Sequence, residues 1–357
     1  MLAYVTRNRE RGSLPANAST LTASDHRNDA KVDVCIPAHG RPRYLVEAIE
    51  SVFAQTLTSW RMVVSEDGEG GGEIEKIVRP YLSDPRVSYV TTGEHVGAAR
   101  NMTGLIRHGS APYVLILHDD DFLYPDYLER HVAFLEEHPQ AGWVFSPEVV
   151  VDESGREVRR IAPKLAEGVH SSEELVPRLL RTNLIGGSVM VKRAAYEAVG
   201  SAFDPQFPRI YDWEMFVRLA ARFPTGHIHE RLRAWRRHGA QSTFEGRLRG
   251  EEKLRFLDHA EAEVRRALPE LRLSRRHLAR TRSRTHLMLA IDALEKNELR
   301  ETIRETGRAL RIYPPSLFDP QTPLVAIGFV GGRRVRGAIG DLRLEARRRL
   351  LKIHISK

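Results

Sequence analysis

Short runs of branched aliphatics alternate along the first two thirds of the chain with segments whose apolar residues recur every three or four positions. "KVDVCIPAHG", "WRMVVSEDGEGGG" and "VSYVTT" read as buried strands, each ending in turn-forming or polar residues, and Tyr113 to Leu117, preceded by "GSAP", reads as a fourth. Between them "YLVEAIESVFAQT" places Leu45, Ile49 and Val52 on one helical face, Ile74, Ile77 and Val78 mark a second helix, and a third runs from about Ala98 to His108. This strand–helix rhythm predicts an α/β fold, a mostly parallel Rossmann-like sheet flanked by helices through right-handed crossovers. Further on, "RIYDWEMFVRLAARF" carries the stripe Trp213, Phe216, Val217 and Ala220, with Asp212 in the first turn.

Beyond about Glu251 the pattern turns almost wholly helical. "THLMLAIDALEKNELRETIRETGRALRIYPPS" predicts a helix pair broken near Asn297 and ended by Pro314, best read as a helical extension packing on the α/β part. In the last segment Val335, Ile339, Leu342, Ala346, Leu350 and Ile353 recur at helical spacing among basic residues, the pattern of an interfacial helix or of one packed on the domain. Four zones follow: 1–30, without periodicity and expected to be disordered; 31–245, the α/β domain; 246–315, helical; and 316–357, a basic amphipathic tail.

Composition narrows the class. The 357 residues are 41% hydrophobic and 29% charged, typical of a soluble globular protein. The single cysteine, Cys35, falls in a strand and reads as core filler, which excludes a disulfide framework. The N-terminus lacks an apolar signal segment and no run approaches the roughly 20 residues of a membrane span, so cytoplasmic residence is expected. The net charge of +8 is uneven: nine Lys/Arg against Asp341 and Glu345 between Arg333 and Lys357. Any electrostatic partner, whether anionic lipid, acidic protein or nucleic acid, would most simply meet the tail, and the lipid case would place the chain peripherally at the inner face of the cell membrane.

The chemistry collects at strand ends. In "LILHDDDFLYPDYLE" three aspartates, Asp119 to Asp121, follow the fourth strand at the sheet edge where ligands bind in open α/β sheets. Like charges so close raise one another's pKa, and a bound cation relieves them. The first strand ends in Pro37-Ala38-His39 with Arg41 beyond, the second in Glu66-Asp67-Gly68, and Gly97 and Arg100 stand at a helix start suited to phosphate. No G-x-G-x-x-G and no P-loop is present.

Taken in order, these motifs resemble the inverting GT-A glycosyltransferases of family 2 over residues 31 to 243. "IPAHGRPRYLVEAIESVFAQT" looks like that family's opening strand, loop and helix, "VVSEDG" its acidic strand end, "VGAARN" its Gly-x-x-Ala-Arg-Asn, and "HDDDFLYPDYLE" its Asp-x-Asp-Asp region. "GGSVMVKRAAYEAVGSAFD", "YDWEMFVRLA" and "RRHGAQST" resemble its later strand, catalytic-base helix and closing segment. The chain departs from the pattern twice: His118 stands where the metal signature begins with Asp, and Tyr211 where an acid usually precedes the catalytic Asp.

The resemblance implies a metal-dependent transfer of a sugar from a nucleoside-diphosphate sugar, with UDP or dTDP as the nucleotide, to a hydroxyl of a glycan or lipid-linked acceptor in surface polysaccharide or glycoconjugate biosynthesis. It implies Asp212 as the base, Pro37, Ala38, His39, Arg41, Asp67, Gly97, Arg100 and Asp119 as the nucleotide-sugar site, and Asp120, Asp121 and His238 as ligands of Mg²⁺ or Mn²⁺. Read alone, Asp212 would be a helix N-cap, Asp67 a turn initiator, and His238 an exposed or structural histidine. A sugar-phosphate nucleotidyltransferase would need a Gly-rich, Lys-containing loop after strand one, which "IPAHGRPRYL" lacks. A basic adaptor for membrane or nucleic acid would explain the tail but not the converging acids.

Overall fold

The computed structural model describes residues 20–21, 29–239, 246–323 and 325. The tail and most of the N-terminal zone, whose expected disorder and amphipathic helix concern positions 1–30 and 316–357, therefore lie largely outside the described residues. Thr20–Leu21 (β1) pairs antiparallel with Tyr89 and Val90, inside the stretch expected to be disordered.

The α/β part begins with β2 (Val32–Ala38), α1 (Pro42–Phe53), β3 (Trp60–Glu66), α2 (Glu73–Val78), β4 (Val87–Thr91), α3 (Ala98–His108) and β5 (Tyr113–Ile116). It continues through β6 (Phe122–Leu123), α4 (Tyr127–Glu137), β7 (Trp143–Phe145), β8 (Glu148–Val151), β9 (Glu157–Ile161), β10 (Gly168–His170) and α5 (Ser172–Leu179). β11 (Met190–Lys192), α6 (Arg193–Ala198), α7 (Tyr211–Ala220), β12 (Thr225–His227) and β13 (Arg233–Arg236) complete it, before α8 (Gly246–Ala267), α9 (Arg275–Glu295) and α10 (Leu299–Ile312).

The main sheet has the order β1-β4-β3-β2-β5-β11-β7-β12-β10. β4, β3, β2 and β5 are parallel, as the strand–helix rhythm requires, and β11 enters antiparallel between β5 and β7. Because helices cover both faces, β2 is apolar on both: Cys35 packs with Ala99, Met102 and Leu105 on one side, while Val34 and Ile36 pack with Leu45, Ile49 and Val52 on the other. Pro42 opens α1, where its missing N–H costs nothing and its fixed φ suits the first turn. A smaller sheet, β6-β13-β8-β9, lies on the route from the aspartate run to the end of the domain.

Asp33, wholly buried in β2, accepts hydrogen bonds from Arg61 (2.6 Å), Arg193 (2.5 Å) and the Ala111 N–H (2.8 Å). A buried carboxylate survives only with such partners, and breaking the set costs about 3–5 kcal/mol. The arrangement ties β2 to β3 and to the start of α6, holding the two halves of the sheet in register.

The helical extension is as the apolar spacing predicts: α9 and α10 form an antiparallel pair, the chain turns at Asn297 in the left-handed region (φ 65°), and a 3₁₀ turn begins at Pro314. α8 packs directly on α7, with Phe256 fully buried against Trp213 and Phe207.

Candidate active site

The ends of β2, β3 and β5 and the start of α7 enclose two adjoining cavities that share Arg41, His118 and Tyr211. The first, about 390 Å³, is lined by Pro37, Ala38, His39, Asp67, His95, Gly97 and Asn101 among others. The second, about 270 Å³, holds the carboxyl groups of Asp120, Asp121, Glu148 and Asp212 together with Arg209, Arg233 and Trp235. Sheet-edge placement explains the first set, since parallel strands deliver successive loops to one side. Asp212 arrives in the first turn of α7, where the helix dipole favours a carboxylate, and accepts the Trp213 N–H at 2.7 Å.

The three consecutive aspartates face three ways. Asp119 is fully buried, accepts the His39 N–H at 3.1 Å and lies 2.7 Å from Arg41 Nη2. Asp120 points into the second cavity, with Arg41 Nη1 at 2.5 Å and His238 Nε2 at 3.0 Å from its Oδ2. Asp121 accepts the Arg236 N–H at 3.0 Å and has Arg233 Nη2 at 3.8 Å. Burial pushes Asp119 up to about 7, against the pull of Arg41, and the Asp120 charge adds to the rise. Burial, then the Asp120 charge, pushes Asp121 well above the usual carboxylate range. Burial would raise Asp120 as well, but the His238 hydrogen bond and Arg41 overturn it, and Asp120 stays below its ordinary value. It is therefore the member of the run that keeps its charge.

Asp67 does not present a free carboxylate. Its oxygens accept the N–H groups of Val96 (2.7 Å) and Gly97 (2.9 Å), and His95 Nδ1 sits 3.0 Å away, so it shapes the loop before α3. Gly97 takes φ 86°, the left-handed conformation that glycine allows at no steric cost. Arg100 is exposed on α3 and lines neither cavity; its neighbour Asn101 lines the first instead.

Asp120, Asp121 and His238 are not preassembled as one ligand set. Among the described residues, three potential ligand atoms of His, Asp or Glu come within 4.8 Å of one another at His39/Asp67/His95 and at Asp204/Glu214/His259. His238 instead partners Asp120, and Asp121 turns toward the β13 backbone, because β13 closes over the aspartate run. A hard divalent cation still suits the second cavity: Asp120 is ionised, the carboxyl groups of Asp121, Glu148 and Asp212 line the same cavity alongside the His118 imidazole, and Asp121 is driven up partly by the unrelieved Asp120 charge.

Residues that sequence reasoning passed over complete the second cavity. Arg233, 1% exposed, lies 3.1 Å from Glu148 Oε2, joining β13 to β8. A Cβ on Gly186 would fall 1.7 Å from Glu148 Oε1, so only glycine leaves this pair undisturbed, and the "GG" dipeptide was its one local signal. Glu148 and Arg233 are distant in sequence and meet only through strand pairing, which no local periodicity reveals. Trp143 is a core residue stacked on Phe216, whereas Trp235 faces the cavity.

Comparison with known proteins agrees with this fold. Residues 33–200 match the family described as Glycosyl transferase family 2. The chain is 26% identical over 193 residues to the putative glycosyltransferase EpsE of Bacillus subtilis, covering 53% of this chain and 66% of that protein. It is 28% identical over 224 residues to an uncharacterized glycosyltransferase of Rickettsia felis, covering 61% of this chain but 35% of the relative, so the chain spans about a third of that protein's length. The crystal structure of S. aureus TarS 1-349 in complex with UDP-GlcNAc superposes with a TM-score of 0.59 at 13% identity, covering 88% of this chain and 92% of that one. Sheet order, the convergence of strand ends on one edge and the sequence match point the same way: residues 33–200 match Glycosyl transferase family 2, and the chain has the GT-A fold.

Proposed function

We propose that the protein is a divalent-metal-dependent, inverting glycosyltransferase that moves a sugar from a nucleoside diphosphate, UDP or dTDP, to a hydroxyl of a glycan or lipid-linked acceptor in surface polysaccharide assembly. The observation that carries it is the presence of Asp120 and Asp212 on the walls of one cavity, beside a second cavity shaped by the strand ends. One carboxylate serves the leaving group's cation and the other faces the acceptor, the separation of tasks that single displacement requires.

In this reading Pro37, Ala38, His39, Asp67 and Gly97 form the nucleoside side of the site, and Arg41 stands at the junction with its guanidinium toward the diphosphate. Asp120 would hold Mg²⁺ or Mn²⁺, hard cations that take oxygen ligands. The bound cation would neutralise the negative charge that grows on the leaving diphosphate. Asp212 accepts the proton of the acceptor hydroxyl as that oxygen bonds to the anomeric carbon; the bond from that carbon to the phosphate oxygen breaks, and its electron pair leaves with the nucleoside diphosphate. Glu148, Arg233 and Trp235 line the acceptor side and would decide which hydroxyl is presented.

No helix among the described residues is long and apolar enough to cross a membrane. Contact of the basic segment 333–357 with an anionic bilayer, and with it a place at the inner face of the cell membrane, forms part of the proposal on sequence grounds. A nucleotide-release assay over a panel of UDP- and dTDP-sugars with and without Mn²⁺ tests the reading. Metal-dependent release with one donor supports it, and full turnover in excess EDTA overturns its metal-dependent form.

A further inference from the structure

We propose that Glu252, on α8 and outside the family-matched segment, is a positioning residue that sets the backbone on which Asp212 stands. Its side chain is 1% exposed, and its Oε1 accepts two main-chain hydrogen bonds, from the N–H of Arg209 at 2.9 Å and of Ile210 at 3.1 Å. Ile210 is the N-cap of α7, no side chain caps this helix end, and the Ile210 N–H is shared between the Phe207 carbonyl at 3.2 Å and Glu252, so part of the support for this loop comes from another helix. Glu252 Oε2 lies 3.6 Å from Arg209 Nη1, which adds an ionic contact to the same loop.

The placement matters because Arg209 and Asp212 both line the 270 Å³ cavity, whereas Glu252 does not. Glu252 therefore acts through the loop and not on a bound molecule. Its helix is firmly seated: Phe256 lies 4.8 Å from Trp213, Lys253 Nζ stands 5.1 Å from the Trp213 ring, and His259 Nε2 is 3.2 Å from Glu214 Oε1. Three contacts from α8 thus grip the first turn of α7, and Glu252 grips the residues immediately before it. A carboxylate that must meet an acceptor hydroxyl depends on such support, since a displacement of about 1 Å can cost about 10²-fold in rate. The helical extension is on this view a brace of the acceptor side.

The inference rests on the proposed transferase activity, and the test separates the two. Full-length wild type, Glu252→Ala and Glu252→Gln are compared by amide hydrogen exchange at residues 209–213, by UDP affinity with Mn²⁺, and by steady-state nucleotide release. In Glu252→Ala, exchange at Arg209 and Ile210 should accelerate and kcat should fall roughly 10- to 100-fold while donor KM stays within about threefold. Glu252→Gln keeps an acceptor oxygen and should restore both exchange protection and most of kcat. Should Glu252→Ala fail to fold, Glu252→Asp, which keeps the charge and withdraws the oxygens by one methylene, must show the same split. Unchanged exchange at 209–213, parallel loss of donor affinity and turnover, or a glutamine variant as impaired as alanine would each overturn the proposal. If the wild type turns over no nucleotide sugar, the transferase reading fails, while the exchange data still decide whether Glu252 holds the loop.

Discussion

The His118 imidazole and the Tyr211 phenol face each other where the two cavities meet, with ring centroids 6.5 Å apart and planes within 25°. Burial pushes His118 down to about 4, with Arg233 and Arg41 adding to the fall against the Asp120 charge, and burial pushes Tyr211 above its ordinary value. Both groups are therefore neutral near pH 7. These are the two positions where the chain departs from the family pattern it resembles, so the departures form one neutral contact at the junction of the two cavities.

His118→Asp would return a carboxylate to that junction. Added ligand charge strengthens binding of hard cations, so Mn²⁺ should bind the variant on the order of 10-fold more tightly at pH 7, read by calorimetric titration. Weaker binding would mean that the imidazole itself ligates the ion. With His118 uncharged above about pH 5, its titration should contribute nothing to the wild-type pH–rate profile between 5 and 8.

Asp120→Asn should abolish most metal-dependent UDP binding and also lower the unfolding temperature, since the neutral amide gives up the buried charge pairing with Arg41 and His238. Asp121→Asn should behave differently. Its partners are the Arg236 N–H and Arg233, so unfolding temperature should fall before metal affinity does.

Asp212→Asn should lower kcat by roughly 10²–10⁴-fold with donor affinity near wild type, the signature of a lost proton acceptor. A variant that retained turnover would remove Asp212 from the base role. By contrast Asp67→Ala should raise donor KM, through release of the loop whose Val96 and Gly97 N–H groups it holds.

The His259–Glu214 pair predicts a pH-dependent link between the helical extension and α7. The hydrogen bond to Glu214 raises His259 above its ordinary 6.5, against a partial loss from burial, with the Glu263 and Asp204 charges helping. Burial would raise Glu214, but its hydrogen bonds to His259 and Arg218 overturn this and bring it below 4.5. The histidine's contribution is thus complete below pH 6.5 and disappears as pH rises through its folded value, while the carboxylate's is present above 4.5 and disappears as pH falls through its own. The difference in unfolding temperature between wild type and His259→Ala should be largest at pH 5–6 and shrink above neutrality. An equal difference at pH 5.5 and 9 would show that packing on Phe207, and not charge, is what the histidine supplies.

Local pattern made much of this legible. The stripe on α7, the extent of α3 and the break at Asn297 follow from spacing within about a dozen residues, and the delivery of Pro37, Asp67 and Asp120 to one sheet edge follows from the strand–helix alternation. What escaped depends on pairings across the chain. The orientations of Asp119, Asp120 and Asp121 are set by His39 and Arg41 about 80 residues earlier and by Arg236 and His238 more than a hundred residues later, and Glu252 sits in an ordinary helical stretch where a glutamate gives no local sign of meeting two N–H groups about forty positions earlier.

The antiparallel insertion of β11 also has a consequence in time. β5 is complete at Ile116, but the strand that covers its free edge is Met190–Lys192, about 70 residues downstream. At roughly 5–20 residues per second of synthesis, the nascent parallel half would hold an unpaired row of main-chain donors and acceptors for roughly 4–15 seconds. An open strand edge of that kind is a template for wrong partners. Emergence from the ribosome, more than the finished fold, is then the stage at which this chain is most exposed to aggregation, and slower translation between residues 117 and 190 should lower its soluble yield.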